Sequence, residues 1–172
     1  MRNVIVTPYD HAWPMMYEEE ANRLKHVFGA ILTDIHHIGS TSVPGLQAKP
    51  VIDIMPVVQH IDQVDKLNNA LIAIGYEPKG EYGLPGRRYF RKGGDNRSHH
   101  VHVYEMHHPD IKRHLAFRDY LRAHPDTAKE YGELKGKLAL QFPHDMNSYI
   151  TGKTPLVVSI EKQAMNWYMD PY

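Results

Sequence analysis

The stretch His36–Val58, HHIGSTSVPGLQAKPVIDIMPVV, decides the fold, because it sets a glycine-serine turn between two strands and puts a lone carboxylate on the second. Ile31 to Ile38 mixes apolar and polar residues and reads as a strand that stops at Gly39. Gly39 lets the backbone approach a ligand without a Cβ. Ser40, Thr41 and Ser42 supply hydroxyls and a helix N-cap, so that amide N–H groups can face an anion. Pro44 and Gly45 keep that helix short. After Lys49, Pro50 to Val58 reads as a second strand, whose alternation places Val51, Asp53, Met55 and Val57 on one face. A carboxylate among apolar neighbours needs a cation, a hydrogen-bonding partner or an open cleft. Mg²⁺ held by one or two carboxylates plus substrate phosphates meets that need. The pairing of turn and carboxylate points to a nucleotide or another phosphorylated small molecule.

Further ligands are offered by Ser98 to Glu105, SHHVHVYE, whose alternation predicts a strand with Val101 and Val103 toward the core. His100, His102 and Tyr104 then share the opposite face. Two histidines at i, i+2 can converge on a metal or a phosphate, and neutral imidazole suits Zn²⁺ or Ni²⁺ better than Mg²⁺. The plainer alternative is a half-solvated strand carrying polar residues.

Between the two lies Gly80 to Arg97, GEYGLPGRRYFRKGGDNR, rich in arginine and bounded by glycines. A strand over 87–92 puts Arg87, Tyr89 and Arg91 on one face and Arg88, Phe90 and Lys92 on the other. Arginine's planar fork matches phosphate oxygens, so Arg87, Arg88 and Tyr89 are candidates for holding a nucleotide. The competing reading is an edge strand guarded by its charges. Lys49 contacts phosphate or is solvated at a loop end.

The remainder reads as scaffold. A helix from about Trp13 to Phe28 carries an apolar stripe through Leu24, Val27 and Phe28, and the run Glu18–Glu20 gives it a solvated face. Asp62 to Ile74 is amphipathic and ends before Gly75, as a crossover helix would. Helices follow over 109–123 and, beginning at the turn His124-Pro125-Asp126-Thr127, to about Phe142, and two further helical pieces, 145–150 and 156–168, are expected around Gly152. Lys135, Lys137 and Lys153 are read as solvated.

Composition bounds these readings. The chain has 172 residues and is 42% hydrophobic, enough for one full core, so a single domain over 1–172 is expected. No apolar run is long enough to span a membrane and no signal-peptide core opens the sequence, so a cytoplasmic protein is the expectation. With no cysteine, thiol catalysis and disulfides are excluded, leaving His, Asp and Glu as the strong metal ligands. A net charge of zero argues against extended nucleic-acid binding or an anionic membrane as partner. Thirteen histidines include the pairs His36-His37, His99-His100 and His107-His108, and His36 is carried forward because it lies just before the turn.

The segments TPYDHAWPMMYEEEANRL, HIGSTSVPGLQAKPVIDI, GRRYFRK, HHVHV, FRDYLRAHPDTAKEYGELKGKLA and YITGKTPLV together resemble the GrpB family, within the nucleotidyltransferase superfamily, over nearly the whole chain. The resemblance implies an α+β (α/β) fold with a mixed sheet covered by helices and a helical C-terminal half. The family this chain resembles also occurs fused to dephospho-CoA kinase. Nucleotidyltransferases typically carry two carboxylates at alternate positions of the strand after the turn, for two-metal chemistry. Here Val51 and Met55 flank Asp53, and one carboxylate remains. A later strand of the superfamily's sheet carries its third carboxylate, where this chain has its histidines.

Three functions are consistent with these residues. In the first, a nucleotidyltransferase-like enzyme holds phosphates on Gly39–Ser42, Mg²⁺ on Asp53, completes the set with His100 and His102, and stabilises charge through Arg87 or Arg88. The second is a binding module without turnover, serving a partner enzyme such as one of coenzyme A synthesis. The third is a metal-binding protein or hydrolase that ligates Zn²⁺ or Ni²⁺ through its histidines.

Overall fold

A computed structural model describes residues 2–168. Its elements in order are α1 (Trp13–Phe28), β1 (Leu32–Ile38), β2 (Ile52–Val58), α2 (Asn68–Ala73), β3 (Tyr76–Pro78), β4 (Arg88–Lys92), β5 (His99–Glu105), α3 (Pro109–Ala123), α4 (Pro125–Gln141) and α5 (Met146–Trp167). The fold is α+β. Contacts cluster into two compact units: a sheet unit of Ala12–Ile38 with Val51–Ile111, and a helical unit of the segment up to His11, Gly39–Pro50 and the chain from Lys112 on.

In the sheet unit, five strands lie in the order β1-β2-β5-β4-β3. Only β2 and β5 run parallel, and the other neighbours are antiparallel. The β2–β5 ladder has register partners for Ile52 to Ile54 and for Val57 and Val58, and Pro56, which has no N–H to give, falls in the gap between them. Ile52, Ile54, Val101, Val103 and Phe90 are buried, and α1 packs against β1 and β2 with Leu24 and Phe28 inside. Full burial of each large apolar side chain is worth roughly 1.5–3 kcal/mol, so this apolar alternation is what sets the register.

Several expectations change here. The run Glu18–Glu20 is not wholly a solvated face: Glu20 is buried, where its carboxylate accepts from Tyr76 (2.9 Å), Lys92 (3.0 Å) and Arg23 (2.9 Å). Its position on the helix follows the buried stripe of Trp13, Ala21, Leu24 and Phe28, and three donors offset the cost of burial. The amphipathic stretch expected as one helix over 62–74 is a 3₁₀ helix, Ile61–Leu67, followed by the short α2. β4 is an interior strand, because β3, too short to stand out in the sequence, pairs along its outer side. The protected-edge reading of Arg87–Lys92 therefore does not hold.

Two more changes lie in the helical unit, where α5 runs unbroken through Gly152 and Pro155. Gly152 does not interrupt the helix; a Cβ there would sit 2.6 Å from Leu138 Cδ2, so the glycine lets α4 and α5 approach. Two small cores form in this unit. One joins Val43, Leu46, Leu121, Ala128, Tyr131 and Ile160, the other Val4, Leu138 and Tyr149. Lys135, expected in solvent, is buried on the α4 stripe of Ala128, Tyr131, Gly132 and Leu138, with its ammonium 4.4 Å from the Tyr131 ring centroid. No helix among the described residues is long and apolar enough to cross a membrane.

Candidate functional site

The candidate centre is built by strand register within the sheet unit. Asp53 on β2 is the register partner of His100 on β5, and His102, two residues further along β5, is the partner of Tyr89 on β4. Side chains two apart share a face, so Asp53, His100, His102, Tyr89 and Arg91 converge on one side of the sheet. One ligand atom from each of Asp53, His100 and His102 lies within 4.8 Å of the others. Both histidines address the same carboxylate oxygen: His102 Nε2 lies 3.0 Å and His100 Nδ1 3.4 Å from Asp53 Oδ1. The other oxygen, Oδ2, has no protein hydrogen bond among the described residues, and the Asp53 side chain is about a quarter exposed.

The electrostatics follow. Burial pushes the Asp53 carboxyl up, but hydrogen bonds from and charge on His100 and His102 outweigh it and hold the group well below the usual carboxylate range. His100 is held below the ordinary imidazole value, chiefly by burial and against the pull of Asp53. Burial, with Asp53 nearby, pushes the Tyr89 hydroxyl up. Asp53 is thus an anion with one oxygen occupied and one open. One hard cation matches that donor set, whereas a two-metal arrangement does not, because the flanking Val51 and Met55 are buried apolar side chains.

Arginines frame the histidines. Arg87, buried just before β4, donates Nη1 to His102 Nδ1 (3.4 Å), Nη2 to the Tyr82 carbonyl (2.8 Å) and Nε to the Glu81 carbonyl (3.1 Å). Its guanidinium also lies 4.9 Å from the Tyr89 ring centroid. Arg97 donates Nη1 to His100 Nε2 (3.2 Å) and Nε to the Gly94 carbonyl (3.0 Å). Gly93, at φ 105°, makes that return possible; a Cβ on it would meet the Asn96 carbonyl oxygen at 2.4 Å. Tyr82, at the unusual φ of 49° and more than half exposed, stacks on Tyr89 with ring centroids 5.0 Å apart. The sequence shows Arg97 only as one of the basic residues of its segment and gives no role to Tyr82, although the paired glycines 93 and 94 mark the turn that folds Arg97 back.

The remaining expected site residues make other contacts. Arg88 is on the opposite face of β4, with Nε 2.7 Å from Asp65 Oδ1. His36 faces Asp34, 3.1 Å away, and has Met55 as its register partner. Gly39, Ser40, Thr41, Ser42 and Lys49 belong to the helical unit. Gly39 does adopt the left-handed φ of 72° that favours glycine, but the residues after it form only a three-residue 3₁₀ turn, and Ser42 Oγ is turned back on the Gly39 carbonyl. The expected serine N-cap is therefore absent. Lys49 lies against α5, its ammonium 3.8 Å from Met146 Sδ and 5.3 Å from the Tyr149 ring centroid.

Comparison with known proteins places this geometry in context. The UPF0157 protein YqkA of Bacillus subtilis is 51% identical over 166 residues, covering 96% of this chain and 48% of YqkA. A dephospho-CoA kinase of Mycolicibacterium paratuberculosis is 27% identical over 189 residues, covering 95% of this chain and 46% of the kinase. The chain thus spans about half the length of these two relatives. The crystal structure of the conserved protein GrpB from Enterococcus faecalis superposes with a TM-score of 0.94 at 47% identity, over 96% of this chain and all of that one. The Cid1 poly(U) polymerase solved with MgGTP gives 0.52 at 15% identity over 76% of this chain and 43% of Cid1, a likeness of fold alone. A family model described as GrpB protein matches residues 3–163, and the chain belongs to the GrpB family.

Proposed function

We propose that this chain is a nucleotide-binding, nucleotidyltransferase-like protein acting in the cytoplasm, whose Asp53 holds one Mg²⁺ through its open carboxylate oxygen. The observation that carries this reading is the meeting of Asp53 with His100 and His102 across adjacent strands, which occupies Oδ1 and leaves Oδ2 without a protein hydrogen bond among the described residues. Its support from the fold is the likeness to Cid1, which was solved with MgGTP. Mg²⁺ on a single carboxylate ordinarily completes its shell with water and substrate phosphates, and would neutralise charge on a phosphate there. His100 and His102 orient the carboxylate, Arg87 supplies buried positive charge, and Tyr89 supplies a ring face. Gly39–Ser42 and Lys49 are proposed separately as a phosphate-holding element, on the strength of the positive φ at Gly39 alone.

Thermal unfolding with ATP, GTP or UTP, each with and without Mg²⁺, tests the reading. A ligand at a hundredfold excess over its Kd stabilises by about 2.7 kcal/mol, which raises the midpoint of a chain this size by about 5–10 °C. The Mg²⁺-dependent part of that shift disappears in Asp53→Ala. If no nucleotide moves the midpoint at saturating concentration, the proposal fails.

A second reading is favoured by a specific observation: the strand positions where a second carboxylate would sit are the buried Val51 and Met55. In that reading the chain binds a nucleotide or phosphorylated metabolite without turnover, alongside a partner enzyme, the dephospho-CoA kinase relatives supplying the example. Binding then persists in Asp53→Ala and no pyrophosphate is released with any acceptor. Detectable turnover excludes it.

A further inference from the structure

A guanidinium has five N–H donors and no acceptor, so any ring nitrogen it bonds must present a lone pair. His102 Nδ1 takes Arg87 Nη1 at 3.4 Å, and His100 Nε2 takes Arg97 Nη1 at 3.2 Å. In a neutral imidazole the proton then sits on the other nitrogen: Nε2 of His102 and Nδ1 of His100. Those are the two nitrogens that face Asp53 Oδ1, at 3.0 and 3.4 Å. The carboxylate oxygen can only accept, so donor and acceptor agree along Arg87–His102–Asp53 and along Arg97–His100, and the longer contact of His100 Nδ1 with Asp53 has the same sense. A histidine that ligates a metal needs the reverse, with the lone pair toward the metal and the remote N–H given to an acceptor such as a carboxylate or carbonyl. Here the remote partner on both sides is a donor.

We propose that Arg87 and Arg97 are positioning residues that hold His102 and His100 in opposite neutral tautomers, both N–H groups aimed at Asp53, so that the centre admits a hard cation only through Asp53 Oδ2 and refuses imidazole-ligated Zn²⁺ or Ni²⁺. For Zn²⁺ to take either ring nitrogen beside Asp53, the proton must move to the remote nitrogen, against an arginine N–H already placed there. The three-residue set that looks like a transition-metal site by composition is thereby closed to such metals by the residues behind it. The cation preference rests on the Mg²⁺ reading above; the tautomers and the exclusion of Zn²⁺ do not.

Long-range ¹H–¹⁵N correlation spectra of the full chain at about pH 8, above the ordinary imidazole value of about 6.5, read the tautomers directly. The expected result is an Nε2–H form for His102 and an Nδ1–H form for His100, with no change at either ring when Zn²⁺ alone is added in stoichiometric amount. In Arg97→Met, Zn²⁺ perturbs the His100 ring at a concentration about 10–100-fold lower than in the wild type, the usual range for a changed outer partner. Arg97→Lys keeps an N–H donor and keeps the exclusion, which a merely structural role for Arg97 would not produce. Arg87→Met carries the same expectation for His102, but Arg87 also ties the Glu81–Tyr82 turn, so the wild-type spectrum and the Arg97 pair decide the matter if that variant does not fold. The same tautomer in both rings, or Zn²⁺ seated on the wild-type rings as readily as on Arg97→Met, overturns the proposal. Opposite tautomers with no response of the protein to Mg²⁺ and nucleotide would uphold it and sink the proposed function instead.

Discussion

Tyr149 lies fully buried in the helical unit beside Val4 and Leu138, and its hydroxyl has no hydrogen-bond partner among the described residues. Burial pushes that hydroxyl's pKa up, so it remains a neutral, desolvated O–H. Leaving such a group without a partner costs about 1–3 kcal/mol, and removing it while keeping the ring relieves the cost. Tyr149→Phe is therefore expected to leave stability unchanged or raise it by about 1 kcal/mol, measured by urea unfolding; a loss of more than about 1 kcal/mol would show that the hydroxyl is satisfied. At this scale the sequence discloses chemistry unevenly. Asp53, His100 and His102 could be singled out because alternation along a strand assigns a face to each residue. Arg97 could not, since its role arises from a turn that brings it back on a residue three positions later, and turns carry no face periodicity. Arg87 and Arg88 look interchangeable in the chain, yet one, just before β4, bonds His102 and the other, its first residue, bonds Asp65.

Glycine shows the same ambiguity among the elements. Gly152 in a helical pattern reads as a break, because glycine is about 1 kcal/mol poorer than alanine in a helix, yet here it is the contact point of α4 on α5. Gly152→Ala improves the local propensity but drives a methyl into Leu138, and overpacking of this kind costs typically 1–3 kcal/mol. The expected outcome is a net loss of stability in Gly152→Ala, with a positive coupling in a double-mutant cycle with Leu138→Ala, which makes the room. Additive effects would show that the two side chains do not meet. Strands β1, β2 and β5 and helices α1, α3 and α4 were legible to within two residues because each has a long periodic pattern or a proline at its start. β3 was not, since three residues are too few to show a period. The split of 61–73 into a 3₁₀ helix and α2 was hidden because both keep Val64 and Leu71 buried, as one continuous helix would.

For the molecule as a whole, the buried ionisable groups set the response to pH. Burial is the main reason that His99 and His100 lie below the ordinary 6.5, so between that value and their folded values the unfolded chain binds more protons than the folded one. Stability therefore rises with pH in that window, is complete above about 6.5 and declines on acidification below it. Asp53 and Glu20 lie below their ordinary values of 3.8 and 4.5, since the hydrogen bonds each receives outweigh its burial. Their stabilisation is present above those values and is lost as pH falls through the folded ones. Urea midpoints measured from pH 8 to about 2 are expected to be level at first, to fall below about 6.5, and to fall further below about 4.5 as the carboxylates take up protons; His100→Gln should flatten the first decline. A flat profile down to pH 5 would contradict this account. The sheet's far side carries a different consequence. β3 is only three residues long, closes on Pro78, and places Glu77 between Arg91 and Lys79. A foreign strand arriving there finds one donor missing and a row of fixed charges in place of an open ladder, so this margin should resist templated growth, and fibres nucleated from the native state are not expected to begin on it.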